Sequence, residues 1–224
     1  KSLPNTPEQL RAILERIISV DTGNEFITFE IKSVLPISVA KKYAGISASL
    51  VAHIKNTRTP FSIDFGVGDV IVPKQEKRKI PTQLNDFSSP MINTYSLETT
   101  IAEKIDAILS LMEFSSRMKD YYDIYYLANK FDFDGKILVD ALKRTFANRE
   151  HNFTVEQFEQ VMSFDADDLM QRKWKAFIKK IDAKTDDFSK VINTIDDFLR
   201  FPIETALNGT NFLMQWKASS NIWE

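Results

Sequence analysis

The stretch from Tyr95 to Phe131, YSLETTIAEKIDAILSLMEFSSRMKDYYDIYYLANKF, constrains the chain most. It reads as two helices joined by a short polar turn at Ser115 and Ser116. In the first, Leu97, Ile101, Ile105, Ile108 and Met112 recur at spacings of three and four, which marks one face of a helix. Lys104 falls on or beside that apolar stripe, while Glu103 and Asp106 lean toward its flanks. In the second, Asp120, Asp123, Ile124 and Leu127 share a face, and Arg117 lies one turn before Asp120. A lysine alone can send its ammonium to water along an apolar stem. One lysine and two aspartates misplaced on neighbouring helices are harder to dismiss, because buried charges need partners and clustered ionisable groups mark functional sites. The structural alternative is an Asp120–Arg117 network that ties helices together.

With 224 residues, the chain can bury one large core or two small ones. Hydrophobic residues make up 43% and charged residues 27%, as in ordinary soluble domains. A net charge of -2 gives no global attraction to nucleic acid, so any such contact needs a local patch. The absence of cysteine excludes disulfides, thiolate metal sites and a cysteine nucleophile, and fits a cytoplasmic setting. Two histidines, His53 and His151, cannot build a histidine-rich metal site. No apolar run reaches membrane-spanning length, so no membrane partner is expected.

Taken in order, Thr6, Pro7 and Gln9 form a helix start with an N-cap, a first-turn proline and a capping-box residue. Leu10, Ile13, Leu14, Ile17 and Ile18 give its buried stripe. Alternation then predicts a strand over Glu25–Val34, with Ile27, Phe29 and Ile31 on the drier face. Further strands are expected over Tyr43–Lys55, Phe61–Phe65 and Asp69–Val72, paired antiparallel through short connections. In the third, Phe61, Ile63 and Phe65 point one way and Ser62 and Asp64 the other, so Asp64 sits on a rigid element. A solvated position on the outer face of the sheet is the plain alternative for Asp64.

Lys74–Ile80, KQEKRKI, reads as a basic loop that is either solvated surface or a phosphate contact. Gln83–Asn93 reads as a linker. Helices are expected over Gly135–Ala147, Thr154–Met162, Asp165–Ile181 and Asp187–Leu207, the last interrupted near Pro202, before an aromatic tail without clear period. The helical half holds no P-loop, dinucleotide fingerprint or G-x-S-x-G. The candidates are therefore Asp64, Lys104, Arg117, Lys119, Asp120 and Asp123. A strand carboxylate suits Mg²⁺, and lysine suits the phosphates of a nucleotide.

The runs I-D-F-G-V-G-D, Y-S-L-E-T-T-I-A-E-K-I-D-A-I and S-R-M-K-D-Y-Y-D-I-Y resemble the AbiEii/AbiGii-type nucleotidyltransferase toxins of toxin–antitoxin and phage abortive-infection systems. These lie within the DNA polymerase β-like nucleotidyltransferase superfamily, and the resemblance covers most of the chain. It implies an α+β fold: a partial nucleotidyltransferase-like core over residues 1–94, with a small antiparallel or mixed sheet and flanking helices, then a helical bundle over 95–224. It implies that Asp64 matches a metal-binding strand carboxylate and Lys104 the motif lysine at the triphosphate. Asp120 would match the last acidic motif residue, supported by Arg117, Lys119 and Asp123. The implied reaction moves a nucleotide from an NTP to RNA, with tRNA the first choice of acceptor, using Mg²⁺, and a cognate antitoxin is the implied counterpart. Lys104 and Asp120 would lie roughly 8 Å apart along a helical hairpin at 1.5 Å per residue, close enough to share a site without direct pairing.

One departure stands out. The family's first motif carries a D-x-D pair after a glycine turn. Here Asp132-x-Asp134 and Asp165-x-Asp167 have the spacing but not the turn. With Lys1 first, the expectation is a chain cut after that motif, which leaves the activity of this chain itself open. The competing reading is a non-catalytic RNA- or protein-binding module derived from the same fold.

Overall fold

A computed structural model describes residues 6–21, 23, 26–37, 45–66, 68–183, 185 and 187–224. The chain forms two compact units, residues 1–69 and 70–224. The 94/95 division drawn from the sequence lies inside the second. The fold is α+β, and every strand pairing is antiparallel.

In the first unit, helix α1 (Pro7–Ile18) starts where the sequence places it, with the Thr6 hydroxyl accepting from the Gln9 N–H at 3.3 Å. Strands β1 (Ile27–Pro36), β2 (Ile46–Ile54) and β3 (Thr57–Phe65) form a meander in the order β1-β2-β3. The expected start of the second strand at Tyr43 lies outside the described residues. Register explains how β1 keeps its apolar residues together. Ile27, Phe29 and Ile31 sit opposite Ile54, Ala52 and Leu50. Ile31 and Val34 are an odd number apart and would face opposite ways in a regular strand. A bulge between Ile31 and Ser33 resets the alternation and returns Val34 to the face of Ala48.

That face packs under α1, where Leu10 and Leu14 meet Val34, Ile46, Ala48 and Leu50. The helix covers only part of it. Phe61 and Ile63 point to this face as expected, yet each stays 37% exposed. The third strand is also longer than the expected Phe61–Phe65, because Thr57–Thr59 pairs with Ala52–Ile54.

The second unit opens differently from the sequence reading. Asp69–Val72 forms no strand. Strand β4 (Glu76–Lys79) lies within the basic run read as a loop, and β5 (Met91–Thr94) lies at the end of the supposed linker. The β4 cations are tempered locally, with Arg78 paired to Glu76 at 2.6 Å. Helix α2 (Leu97–Leu111) then starts at a buried cap. Ser96 Oγ accepts from the Thr99 N–H and donates to the Val72 carbonyl. The Thr99 hydroxyl donates to the same carbonyl at 2.9 Å and accepts from the Val72 N–H at 2.8 Å. Ser96 and Thr99 are both fully buried, so their polar atoms need these partners.

Helices α3 (Met118–Lys130), α4 (Gly135–Asn148), α5 (Val155–Met162) and α6 (Asp168–Ile181) follow, with α4–α6 close to their predicted bounds. The short strand β6 (Phe133–Asp134) precedes α4. Asp167 rather than Asp165 caps α6, and a short turn of 3₁₀ helix takes up Phe164–Ala166. Helix α7 (Phe188–Asn208) runs unbroken through Pro202, contrary to the expected interruption. Proline lacks the N–H that would bond the carbonyl four residues back, which is Phe198. The indole N–H of Trp223 donates to that carbonyl at 3.0 Å instead.

The aromatic tail is therefore structured. Strands β7 (Gln215–Lys217) and β8 (Ile222–Trp223) pair with each other, and β7 pairs with β6. Trp216, fully buried, donates its indole N–H to the Ala128 carbonyl at 2.7 Å, in the last turn of α3. The tail supplies one donor to each of two helices.

Trp223→Phe leaves the Phe198 carbonyl without a donor and is expected to destabilise the protein by about 1–3 kcal/mol in urea denaturation. Pro202→Ala, which restores a backbone donor, should recover part of that loss in the double variant.

Candidate active site

The site lies where α2 meets α3. Their connection is held from a third helix, as Lys173 Nζ on α6 donates to the Glu113 carbonyl at 2.8 Å and the Ser115 carbonyl at 2.9 Å. The Ser115 hydroxyl accepts from the Arg117 N–H at 3.1 Å. With the turn fixed, Lys104 on α2 reaches across to α3.

Its ammonium lies 3.1 Å from Asp120 Oδ1 and 2.6 Å from Asp123 Oδ2. The sequence allowed a shared site without direct contact; the structure brings the groups into direct contact, because the lysine stem spans the axial offset. Arg117 Nε stands 2.6 Å from Asp120 Oδ2, and Lys119 pairs with Asp123. Five of the six predicted site residues thus form one network. Three cations meet two carboxylates, leaving a surplus positive charge.

Burial grades these pairs. The Asp120 side chain is 4% exposed and that of Lys104 17%, whereas Arg117 and Lys119 are more than half exposed. The outer pairs are therefore weak, and the inner ones depend on each other. Thr100, Lys104, Asp123, Tyr126 and Leu127 line a hollow of ≈ 210 Å³ beside the network. Next to Asp120, the buried Tyr121 hydroxyl has no hydrogen-bond partner among the described residues. Burial first, and the Asp120 charge second, push its pKa far above the usual tyrosine value.

Asp64 belongs to the first unit. It lies on β3 opposite Ser47, on the sheet face away from α1, and its Oδ1 accepts from Ser47 Oγ at 2.6 Å. It is exposed, as its alternation predicts. Three of the four aspartates in the two D-x-D pairs have structural roles. Asp134 and Asp167 cap α4 and α6, and Asp132 accepts from the Ala218 N–H at 2.9 Å.

Sequence reasoning missed a second charged cluster on α2. Asp106, placed at a flank, is fully buried. It accepts from Arg149 Nη1 at 2.8 Å and meets His151 Nδ1 at 2.8 Å, while Arg149 also pairs with Glu103. Burial raises the Asp106 pKa, opposed by the His151 contact. The available signal was that Asp106 lies four residues after Ala102 and three before Leu109, on a second dry face.

A lysine fixed by two carboxylates beside an open hollow can place positive charge against an anionic ligand. The family model described as "Nucleotidyl transferase AbiEii toxin, Type IV TA system" matches residues 1–200. The chain belongs to this family. AbiEii proteins are nucleotidyltransferase toxins of a type IV toxin–antitoxin system, a family that suggests an antitoxin as counterpart. No curated protein and no solved structure matches the chain. Among the described residues, no helix is long and apolar enough to cross a membrane.

Asp120→Ala removes the shared partner of Lys104 and Arg117 and is expected to cost about 3 kcal/mol in urea denaturation. The raised Tyr121 pKa has a definite sign. The folded state holds the proton that the unfolded state releases above 10.0, so stability falls as pH rises past that value. Tyr121→Phe should flatten this alkaline loss. By removing an orphaned hydroxyl it should also leave neutral-pH stability unchanged or raise it by about 1 kcal/mol.

Proposed function

We propose that the protein transfers a nucleotide from an NTP to an RNA acceptor, with tRNA the acceptor to test first, and that Lys104 meets the triphosphate. The observation that carries this reading is the position of the Lys104 ammonium, held by Asp120 and Asp123 at the edge of the α2–α3 hollow. Lysine has three N–H donors, and two carboxylates occupy two of them. The third remains for a phosphate oxygen. Asp120 and Asp123 are positioning residues that fix the ammonium, while Arg117 and Lys119 add exposed positive charge at the rim. Such charge stabilises a triphosphate most when it is held in place before the ligand arrives.

The family resemblance also implies Mg²⁺, with Asp64 as one ligand. Among the described residues there is no cluster of three or more histidine, aspartate or glutamate side chains to hold a metal. A single carboxylate holds Mg²⁺ only together with further oxygen ligands such as substrate phosphates, so Asp64 would be one ligand of a larger set. Asp64 remains the residue we assign to metal binding in the transfer reaction. The reaction is placed in the cytoplasm, where NTP and tRNA occur together. Blocking an RNA acceptor would supply the toxicity, in phage defence among other settings.

The test is incorporation of each α-labelled NTP into pooled tRNA by the intact protein with Mg²⁺. Lys104→Ala is expected to reduce transfer by about 100-fold or more while the protein stays folded. Asp64→Ala should abolish it. A Lys104→Ala variant with undiminished transfer would overturn the assignment. RNA binding that survives Asp64→Ala but is lost on neutralising Lys77, Arg78 and Lys79, without any transfer, would identify a non-catalytic binding module instead.

A further inference from the structure

A second concave site lies in the helical unit and shares no lining residue with the Lys104 hollow. It is a cleft of ≈ 570 Å³ between the first turns of α4, the Val72–Pro73 segment and residues 210–212 after α7. That volume falls within the range of small-molecule sites. Its α4 wall carries Lys136, Asp140, Lys143 and Arg144. Asp140 is already engaged by Arg144 Nε at 2.9 Å, and neither Lys136 nor Lys143 has an ion-pair partner among the described residues. The cleft therefore holds an excess of positive charge, which a concave wall focuses.

The same cleft is also lined by a flat ring, Phe212, half-buried at the start of α4. Gly135 sets its position: a Cβ there would lie 2.3 Å from the Phe212 ring and 2.6 Å from the Met214 carbonyl, so only glycine lets the ring seat against α4. The Phe212 ring is backed by Trp223 at 4.8 Å, edge to face, and by Phe201 at 6.5 Å, nearly parallel. Thr210 and Asn211 add polar groups beside it. Cations and a rigid aromatic lining one cleft fit a ligand that is anionic at one end and flat at the other.

We infer that this cleft binds a nucleotide phosphate, with its phosphate oxygens on Lys136, Lys143 and Arg144 and its base against Phe212. Arg144 spends Nε on Asp140 and keeps its two terminal nitrogens for a phosphate, the fork geometry in which guanidinium exceeds ammonium. Aromatic stacking accepts any base, so the site reads phosphate and ring rather than base identity. The source is either a free nucleotide or one nucleotide unit of an oligoribonucleotide.

The test is direct binding to the intact protein in EDTA, by calorimetry, of ATP, inorganic tripolyphosphate and a short oligoribonucleotide. Lys143→Ala combined with Arg144→Ala is expected to weaken ATP binding by about tenfold or more. Arg144 is exposed and Lys143 half-buried, and the melting temperature of the double variant checks its fold. Phe212→Leu should weaken ATP while leaving tripolyphosphate unchanged. In the Lys104→Ala background, which removes the ammonium proposed to meet the triphosphate at the transfer site, the part of ATP binding that depends on Lys143 and Arg144 should remain, which separates this cleft from the transfer site. Tighter binding of the oligoribonucleotide than of ATP, with the same dependence on Lys143 and Arg144, would name a chain-borne nucleotide as the source; the reverse order would name the free one. The inference is overturned if neither ligand binds at millimolar concentration. It is equally overturned if the double variant binds as tightly as the unaltered protein, or if Lys104→Ala alone abolishes binding.

Discussion

Helix α2 is dry on two sides and carries a charge on each, so its place in the unit depends on those charges finding partners. Lys104 turns toward α3 and is met by Asp120 and Asp123. Asp106, two residues on, turns toward the connection after α4 and is met by Arg149 and His151. An ionised side chain left alone in such an environment would cost several kcal/mol. The pairing therefore fixes more than two contacts. It sets the rotation of α2 about its own axis, because any other rotation strands one charge. Ile101, Ile105 and Ile108, all with no exposed surface, then fall into the remaining core.

The two clusters differ in what they leave over. Around Asp106 the partners arrive from the Arg149–His151 segment and from Glu103, and the carboxylate is enclosed. Around Lys104 the partners lie on one helix, the outermost cations are exposed, and a hollow stands open beside the ammonium. The first arrangement is complete as a structural tie. The second has positive charge to spare and room to use it, which is why we propose it, rather than Asp106, for the transfer chemistry.

Much of this was legible from residue spacing. The α2–α3 hairpin, its polar turn and the unusual burial of Lys104, Asp120 and Asp123 follow from periodicity and from charge on a dry face. The alternation around Asp64 gave the correct sheet face, confirmed by the Ser47 register. What escaped had non-local causes. The basic run became β4 because Met91–Thr94 was available to pair with it, and no local signal announces a partner twelve or more residues away. Asp106 was misplaced because one apolar stripe was assumed where α2 is packed on more than one side. The continuity of α7 through Pro202 was invisible without Trp223. The partial exposure of Phe61 and Ile63 reflects the limited reach of α1, a tertiary fact.

The two tail tryptophans also bear on synthesis. Trp216 and Trp223 follow α3 and α7 in the chain, yet they close the Ala128 and Phe198 carbonyls within them. Both helices therefore leave the ribosome with a backbone acceptor still bonded to water. Their final hydrogen bonds form only after translation has moved on by tens of residues. For a toxin, this ordering ties completion of the helical unit to synthesis of the segment that carries Trp216 and Trp223: a chain halted after α7 carries the Lys104 network but lacks the donors that lock the helices around it.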